Sequence, residues 1–229
     1  LDGIGYSGKI MQRIAKTMSR ANDGYYYLNF HGGNLYGLYK VSTLNWHLEH
    51  LPYISQLYLG EGFRTIYSEG SPATWLVEYS GVPFGLTSGM YWQEMNKYRA
   101  MLYGSTHNHD TAMWEFWDRV GIQKSEMIGY WSKDNPVQTG NADVPATVYK
   151  LDGKTLIAMA TWAEETVDFD LQIDREALGL KSGKLQFARL DIDPTGTSGD
   201  ERWDLNFRAV DRVTLSIDPG DGAIVVIKN

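Results

Sequence analysis

No cysteine occurs among the 229 residues, so neither a disulfide framework nor a thiolate metal site is open to this chain. No run of five basic residues occurs, and 21 Lys and Arg against 28 Asp and Glu leave a formal charge of −7. That balance argues against nucleic acid and against an anionic membrane surface as partners. No apolar stretch approaches the ~20 residues that cross a bilayer, so no membrane span is expected. The lack of cysteine suits a periplasmic or secreted protein of a Gram-negative cell, which is the expected location, and suits cytoplasm equally.

Aromatic residues and glycine are abundant instead. The chain carries 15 Tyr, 8 Trp and 24 Gly, with 43% hydrophobic residues overall. A loop-rich α/β protein with a sizeable core accounts for this. So does a carbohydrate site, where flat rings stack on sugar faces and keep a polar edge for hydroxyls.

Along residues 1–121 the pattern alternates. Ser7 is placed to cap a helix whose apolar set is Ile10, Met11, Ile14 and Met18, and Asn22-Asp23-Gly24 ends it. Residues 25–30 read as a strand followed by the loop His31-Gly32-Gly33-Asn34. A short helix near 43–50 leads to a strand over 54–59 that runs into Gly60-Glu61-Gly62. Ser71-Pro72 opens a helix carrying Trp75, Leu76 and Tyr79. Residues 83–87 read as a strand, 90–99 as a helix and Met101-Leu102-Tyr103 as a short strand. A last amphipathic helix presents Met113, Phe116, Trp117 and Val120 and closes at Gly121.

Strict alternation with short connections means parallel strands joined by crossover helices. The expected fold class is therefore α/β, the second half of a (β/α)8 TIM-type barrel, with an open doubly wound sheet as the alternative. If the last strand is the eighth, Asp2 ends strand four, His31 follows strand five and Glu61 follows strand six. These positions lie at the carboxyl ends, the catalytic face of such a barrel. The start at Leu1-Asp2-Gly3, without Met or signal peptide, reads as a strand end and its loop. The chain is thus expected to be the C-terminal piece of something longer. Half a barrel leaves sheet edges unpaired, so residues 1–229 alone are expected to be insoluble or inactive unless the upstream half is supplied, by the same polypeptide or a companion chain.

Beyond about residue 140 the period changes to two. Thr155–Ala160 is a compact apolar strand. Val167, Phe169, Leu171 and Ile173 alternate with polar residues, as do Leu185 and Phe187, then Val213, Leu215 and Ile217. Asp152-Gly153 is a hairpin turn signal. An antiparallel β-sandwich over 141–229 is expected after a barrel portion over 1–140.

Glycoside hydrolysis needs two carboxylates across one bond. Asp2 and Glu61 stand 59 residues apart, about two βα units, which places them two strands apart on one rim. They are the candidate catalytic pair; helix capping by Asp2 and a solvated loop acid at Glu61 are the plain alternatives. His31 and Asn34 are candidates for binding sugar hydroxyls. Tyr6, Tyr58 and Trp92 are candidates for stacking or lining a sugar site, and Trp131 also lies near a strand end. Arg99 is a candidate for an anionic or N-acyl group. Thr106-His107-Asn108-His109-Asp110 holds a His-x-His pair and an acid, as a metal-dependent hydrolase on a barrel would want. That pair follows the presumed last strand rather than the first, so neither a metal nor another cofactor is expected.

The stretches "LDGIGY", "LYLGEGF", "WLVEYSGVPFGL", "MIGYW" and "LIAMATWAEETVDFDLQIDREALGL" together resemble bacterial glycoside-hydrolase-like proteins related to glycoside hydrolase family 123. The resemblance runs over most of residues 1–180. It implies the second half of a catalytic barrel with a C-terminal β-sandwich, a carbohydrate substrate, glycan degradation in bacteria, and further N-terminal sequence. Family 123 enzymes resemble other N-acetylhexosaminidases in using an adjacent Asp-Glu pair and the substrate's acetamido group as nucleophile. Here Gly3 follows Asp2, so that pair is absent from this stretch. Acids after strands four and six instead resemble retaining α-galactosidase-type barrels, with the strand-four acid as nucleophile. The functional expectation is a glycoside hydrolase acting on galactose- or N-acetylgalactosamine-type sugars. A non-catalytic carbohydrate-binding protein is the alternative, with the metal-dependent hydrolase third.

Overall fold

The computed structural model describes residues 7–31, 44–58, 70–88, 97–105, 111–190 and 205–229. The chain divides into two compact units, Leu1–Met95 and Asn96–Asn229.

The first unit is built on a parallel sheet of three short strands, β1 (Asn29–His31), β2 (Gln56–Tyr58) and β3 (Thr87–Ser88), in that order. Asn29 pairs with Gln56, Phe30 with Leu57 and His31 with Tyr58. Because side chains alternate along a strand, Phe30 and Leu57 share one face and Asn29, Gln56 and His31 the other. The first face is the core. Met11, Phe30, Leu44, Ile54 and Leu57 pack together there.

Helix α1 (Gly8–Ala21) covers that face, but not with the stripe its large residues suggest. Met11 and Ala15 are buried while Ile10 and Met18 stand exposed. Small residues set the approach. A Cβ on Gly8 would lie 2.8 Å from Glu49 Oε2 and 3.3 Å from the Glu49 carbonyl, so the helix comes down close on the 44–53 segment. Asn22 ends the helix as expected, but the side chain of Ser7 makes no capping bond. Helix α2 (Pro72–Glu78) starts where the cap-and-proline signal places it, with the Thr74 amide donating to Ser71 Oγ at 3.3 Å. The expected strand over 83–87 is instead a 3₁₀ turn, Val82–Phe84, bounded by Gly81 and Gly85, both with positive φ. Only then does β3 begin.

The second unit is organised around a six-stranded sheet. Its strands are β4 (Glu126–Ile128), β6 (Ala146–Leu151), β7 (Lys154–Ala160), β10 (Leu185–Leu190), β11 (Arg208–Val210) and β13 (Gly222–Lys228). They run in the order β11-β10-β13-β7-β6-β4, each pair antiparallel. The hairpin between β6 and β7 turns at Asp152-Gly153, with Gly153 at φ 72°. Two smaller antiparallel pairs accompany it: β8 (Val167–Asp170) with β12 (Thr214–Ile217), and β5 (Val137–Gln138) with β9 (Gln172–Ile173). Ala146, Val148, Ile157, Met159, Val225 and Ile227 from one face of the large sheet share a core with Phe169, Leu171, Leu215 and Ile217.

The other face of the same sheet is buried too. Thr147, Tyr149, Leu156, Ala158, Ile224 and Val226 all lie inside. Helix α3 (Lys97–Met101) and the turn after it lie there, and this is where the sequence reading needs correction. Met101-Leu102-Tyr103 is not a strand: Met101 closes α3, and Leu102 and Tyr103 are a turn. Thr147 Oγ1 donates to the Leu102 carbonyl at 2.8 Å, and the Tyr149 hydroxyl donates to the Met101 carbonyl. Sheet side chains thus bond the last carbonyl of the helix and the first of the turn after it, both beyond the reach of the intrahelical ladder. A Cβ on Gly222 would lie 2.3 Å from the Met159 carbonyl and 2.4 Å from Tyr98 Cβ, so α3 rests directly on β13. Helix α4 (Thr111–Val120) joins this layer, with Trp117 Nε1 at 2.9 Å from Met101 Sδ. Burial on both faces explains why β7 and β13 read as unbroken apolar runs rather than alternating ones.

Candidate active site

The carboxyl ends of β1 and β2 carry His31 and Tyr58 at the same register position. Along these two strands the sheet's second face is polar. Gln56 Oε1 accepts at 2.8 Å from both the Tyr27 hydroxyl and Asn29 Nδ2. Tyr27 and Asn29 are exposed and His31 is half-buried. A hydrogen-bonded polar layer therefore lies immediately before the strand ends, and His31 follows it on the same face.

The chain leaves the described residues just after each strand, at 32–43, 59–69 and 89–96. In sequence, Asn34 is three residues beyond His31, Glu61 three beyond Tyr58, and Trp92 four beyond Ser88. Asp2, Tyr6, Asn34, Glu61 and Trp92 all lie outside the described residues, as do His107 and His109. Of the expected site residues, the structure describes His31, the backbone of Tyr58, and Arg99.

Arg99 belongs to the second unit and is only 3% exposed. Its Nη2 donates to the Thr161 carbonyl at 2.8 Å, and its guanidinium lies 4.2 Å from the centre of the Trp162 ring. Burial lowers its pKa to about 10, opposed by the neighbouring Tyr103. The cation is engaged in the interior of that unit by an aromatic face and a carbonyl.

Sequence reasoning passed over a histidine pair. Phe30, on the core face of β1, meets His47 edge-on at 4.9 Å and His50 at 5.3 Å, and the two imidazoles are 5.5 Å apart. His50 is 3% exposed, with Nε2 at 3.5 Å from Glu49 Oε1. Burial lowers the pKa of His47, and the neighbouring His50 adds to the effect. The spacing His47-Leu48-Glu49-His50 was the available signal, since residues three apart meet on one side of a turn. These imidazoles lie on the face of β1 opposite His31, against the core. Among the described residues no group of three or more His, Asp or Glu is placed to hold a metal ion.

The fold has clear likenesses. The chain superposes on a family 27 β-L-arabinopyranosidase from Geobacillus stearothermophilus with a TM-score of 0.58 at 10% identity, covering 100% of this chain and 57% of that one. For a maltogenic α-amylase from Thermotoga neapolitana the values are 0.52, 8%, 100% and 60%. For a family 30 endoxylanase from Clostridium papyrosolvens C71 they are 0.50, 10%, 98% and 61%. The chain thus spans somewhat under two thirds of each, and at these identities the likeness concerns the fold. It is a fold shared with glycoside hydrolases. No curated protein matches. Residues 1–110 match the TIM-barrel domain of glycoside hydrolase 123, and residues 109–228 match the C-terminal domain of the same group. The chain belongs to glycoside hydrolase family 123, a family of hydrolases acting on glycosidic bonds.

Proposed function

We propose that this chain supplies the carboxyl-end rim of a (β/α)8 glycosidase, followed by an antiparallel β-sandwich, and that its substrates are galactose- or N-acetylgalactosamine-type glycosides. The three parallel strands β1–β3 support the barrel portion, and the sheets that share one core in the second unit support the sandwich. The observation that carries the functional reading is the register at the strand ends. His31 and Tyr58 lie side by side where a barrel holds its chemistry, and Asn34 and Glu61 follow each by three residues.

In this reading Asp2 is the nucleophile or the stabiliser of the oxocarbenium-like transition state, and Glu61 is the general acid/base. Glu61 gives its proton to the glycosidic oxygen as the bond to the anomeric carbon breaks, and Asp2 takes up that carbon. Water then attacks, losing its proton to Glu61 and releasing Asp2. His31, Asn34 and Tyr58 bind ring hydroxyls, and Tyr6 and Trp92 pack on the sugar. Arg99, held by Thr161 and Trp162, serves the fold of the second unit instead.

The test is turnover of aryl galactosides and aryl N-acetylgalactosaminides by the parent, Asp2→Asn and Glu61→Gln. Loss of an acid/base group lowers the rate by roughly 10²–10⁴-fold, so both variants are expected to fall by at least that much with folding intact. Parental rates in either variant would overturn the assignment of that residue.

A further inference from the structure

We propose a second carbohydrate contact on this chain: the indole of Trp131, in the second unit, is a stacking platform for the apolar face of a neutral pyranose. The choice of a sugar as ligand rests on the glycosidase reading, while the platform itself rests on the geometry below.

The ring is fixed on several sides. A Cβ on Gly129 would lie 2.3–2.5 Å from Cζ2, Cε2 and Cη2 of Trp131, so the six-membered ring lies on bare backbone that only glycine leaves open. Tyr103 is parallel to the indole, 6.0 Å away with 6° between planes. Tyr130 meets it edge-on at 5.1 Å and 83°, and the Tyr130 and Tyr103 hydroxyls are 3.4 Å apart. The turn that carries the ring is tied down as well. The Ser132 amide donates to the Gly129 carbonyl at 2.9 Å, the Asp134 amide to Ser132 Oγ at 3.2 Å, and Asn135 Nδ2 to the Ala146 carbonyl at 2.8 Å.

Held in this way, Trp131 still keeps 37% of its surface in solvent, whereas Tyr103 keeps 4%. Exposed Lys133 and Asp134 follow directly in sequence, a donor and an acceptor on the same turn as the ring. That combination suits a pyranose, which presents C–H groups on one face and hydroxyls at its edge. The ring is already oriented, so little rotamer freedom remains to be lost on binding. A residue that merely covered Tyr103 would need apolar bulk and no particular plane.

The experiment compares the full chain with Trp131→Phe, Trp131→Leu and Trp131→Ala. Each is run through gels containing a soluble galactan or galactomannan and titrated with the matching oligosaccharides. Thermal unfolding reports whether each variant folds. A lost stacking contact of about 1.4 kcal/mol is a tenfold change, so Trp131→Leu and Trp131→Ala are expected to bind about tenfold more weakly, and Trp131→Phe within about threefold of the parent. Leucine keeps the apolar cover but not the flat face, which separates stacking from support. Equal retardation of parent and Trp131→Leu, or no retardation of the parent in either polysaccharide, would overturn the proposal. Trp131→Leu is expected to lose retardation while keeping parental turnover of the aryl glycosides, so this proposal and the catalytic one fail separately.

Discussion

His31 and Tyr58 are register partners at the carboxyl ends of two adjacent parallel strands, and the side chain of Gln56, two residues before Tyr58, binds both Tyr27 and Asn29. The strand ends are therefore held by a polar layer beneath them as well as by the backbone ladder. If His31 binds a sugar hydroxyl as proposed, His31→Ala loses one hydrogen bond, at roughly 0.5–1.5 kcal/mol. We expect KM to rise up to about tenfold, kcat to change less, and the thermal midpoint to stay close to the parent's. Steady-state kinetics on an aryl galactoside check this, and an unchanged KM would remove His31 from the site.

Thr147 lies inside the second unit and serves two backbone groups. Its Oγ1 donates to the Leu102 carbonyl at 2.8 Å and accepts from the Tyr130 amide at 3.2 Å. Thr147→Val keeps the shape and leaves both groups buried without this partner, at about 1–3 kcal/mol of unfolding free energy. Denaturant titration measures the loss. An unchanged midpoint would mean that α3 and its turn do not depend on the sheet.

How much of this was legible beforehand follows from where each signal sits. Ser71-Pro72 announces α2 because capping is local, and Asp152-Gly153 announces its hairpin for the same reason. Met101-Leu102-Tyr103 misleads because three buried apolar residues read alike in a strand and at a helix end. What distinguishes them is Thr147 and Tyr149, more than forty residues downstream. The aromatic run 25–30 announced a strand but misplaced it: β1 is Asn29–His31, so His31 is its last residue and not the first of the following loop, whereas Tyr58 lies at the end of β2 inside the expected 54–59. The setting of Arg99 was not readable, since Thr161 and Trp162 reach it only through tertiary packing.

The histidine pair makes stability depend on pH with a definite sign. Burial, and then His50, hold the His47 imidazole below its ordinary pKa. Between the ordinary value of about 6.5 and the lower folded value, the unfolded chain takes up a proton that the folded chain refuses. Stability is thus lost as pH falls through that window, and His47 contributes no pH dependence above it. Glu49 and His50 are the charged and titratable groups around it on this segment. Unfolding free energies at about pH 7.5 and about pH 5.5 should fall less in His47→Gln than in the parent. Equal falls would mean that His47 titrates normally in the folded protein.

Gly222 is one point where α3 touches the sheet. It pairs with Ala160 in the β13–β7 ladder, and a Cβ there would meet the Met159 carbonyl and Tyr98 Cβ closer than any real Cβ contact. One of those atoms is backbone in a central strand, so it cannot swing aside as a side-chain end can. Gly222→Ala must then shift α3 or bend the ladder, and overpacking of this kind costs typically about 1–3 kcal/mol. The atoms nearest a Cβ on Gly129 belong instead to the ring of Trp131, a side chain that can rotate away at smaller cost. The two substitutions should therefore separate. Gly222→Ala lowers the unfolding free energy, while Gly129→Ala mainly displaces the indole and changes its fluorescence. If Trp131 is a sugar platform, Gly129→Ala also weakens polysaccharide retardation although the indole itself is still present. Equal destabilisation by the two alanines, with fluorescence unchanged in Gly129→Ala, would mean that the indole does not lie on Gly129.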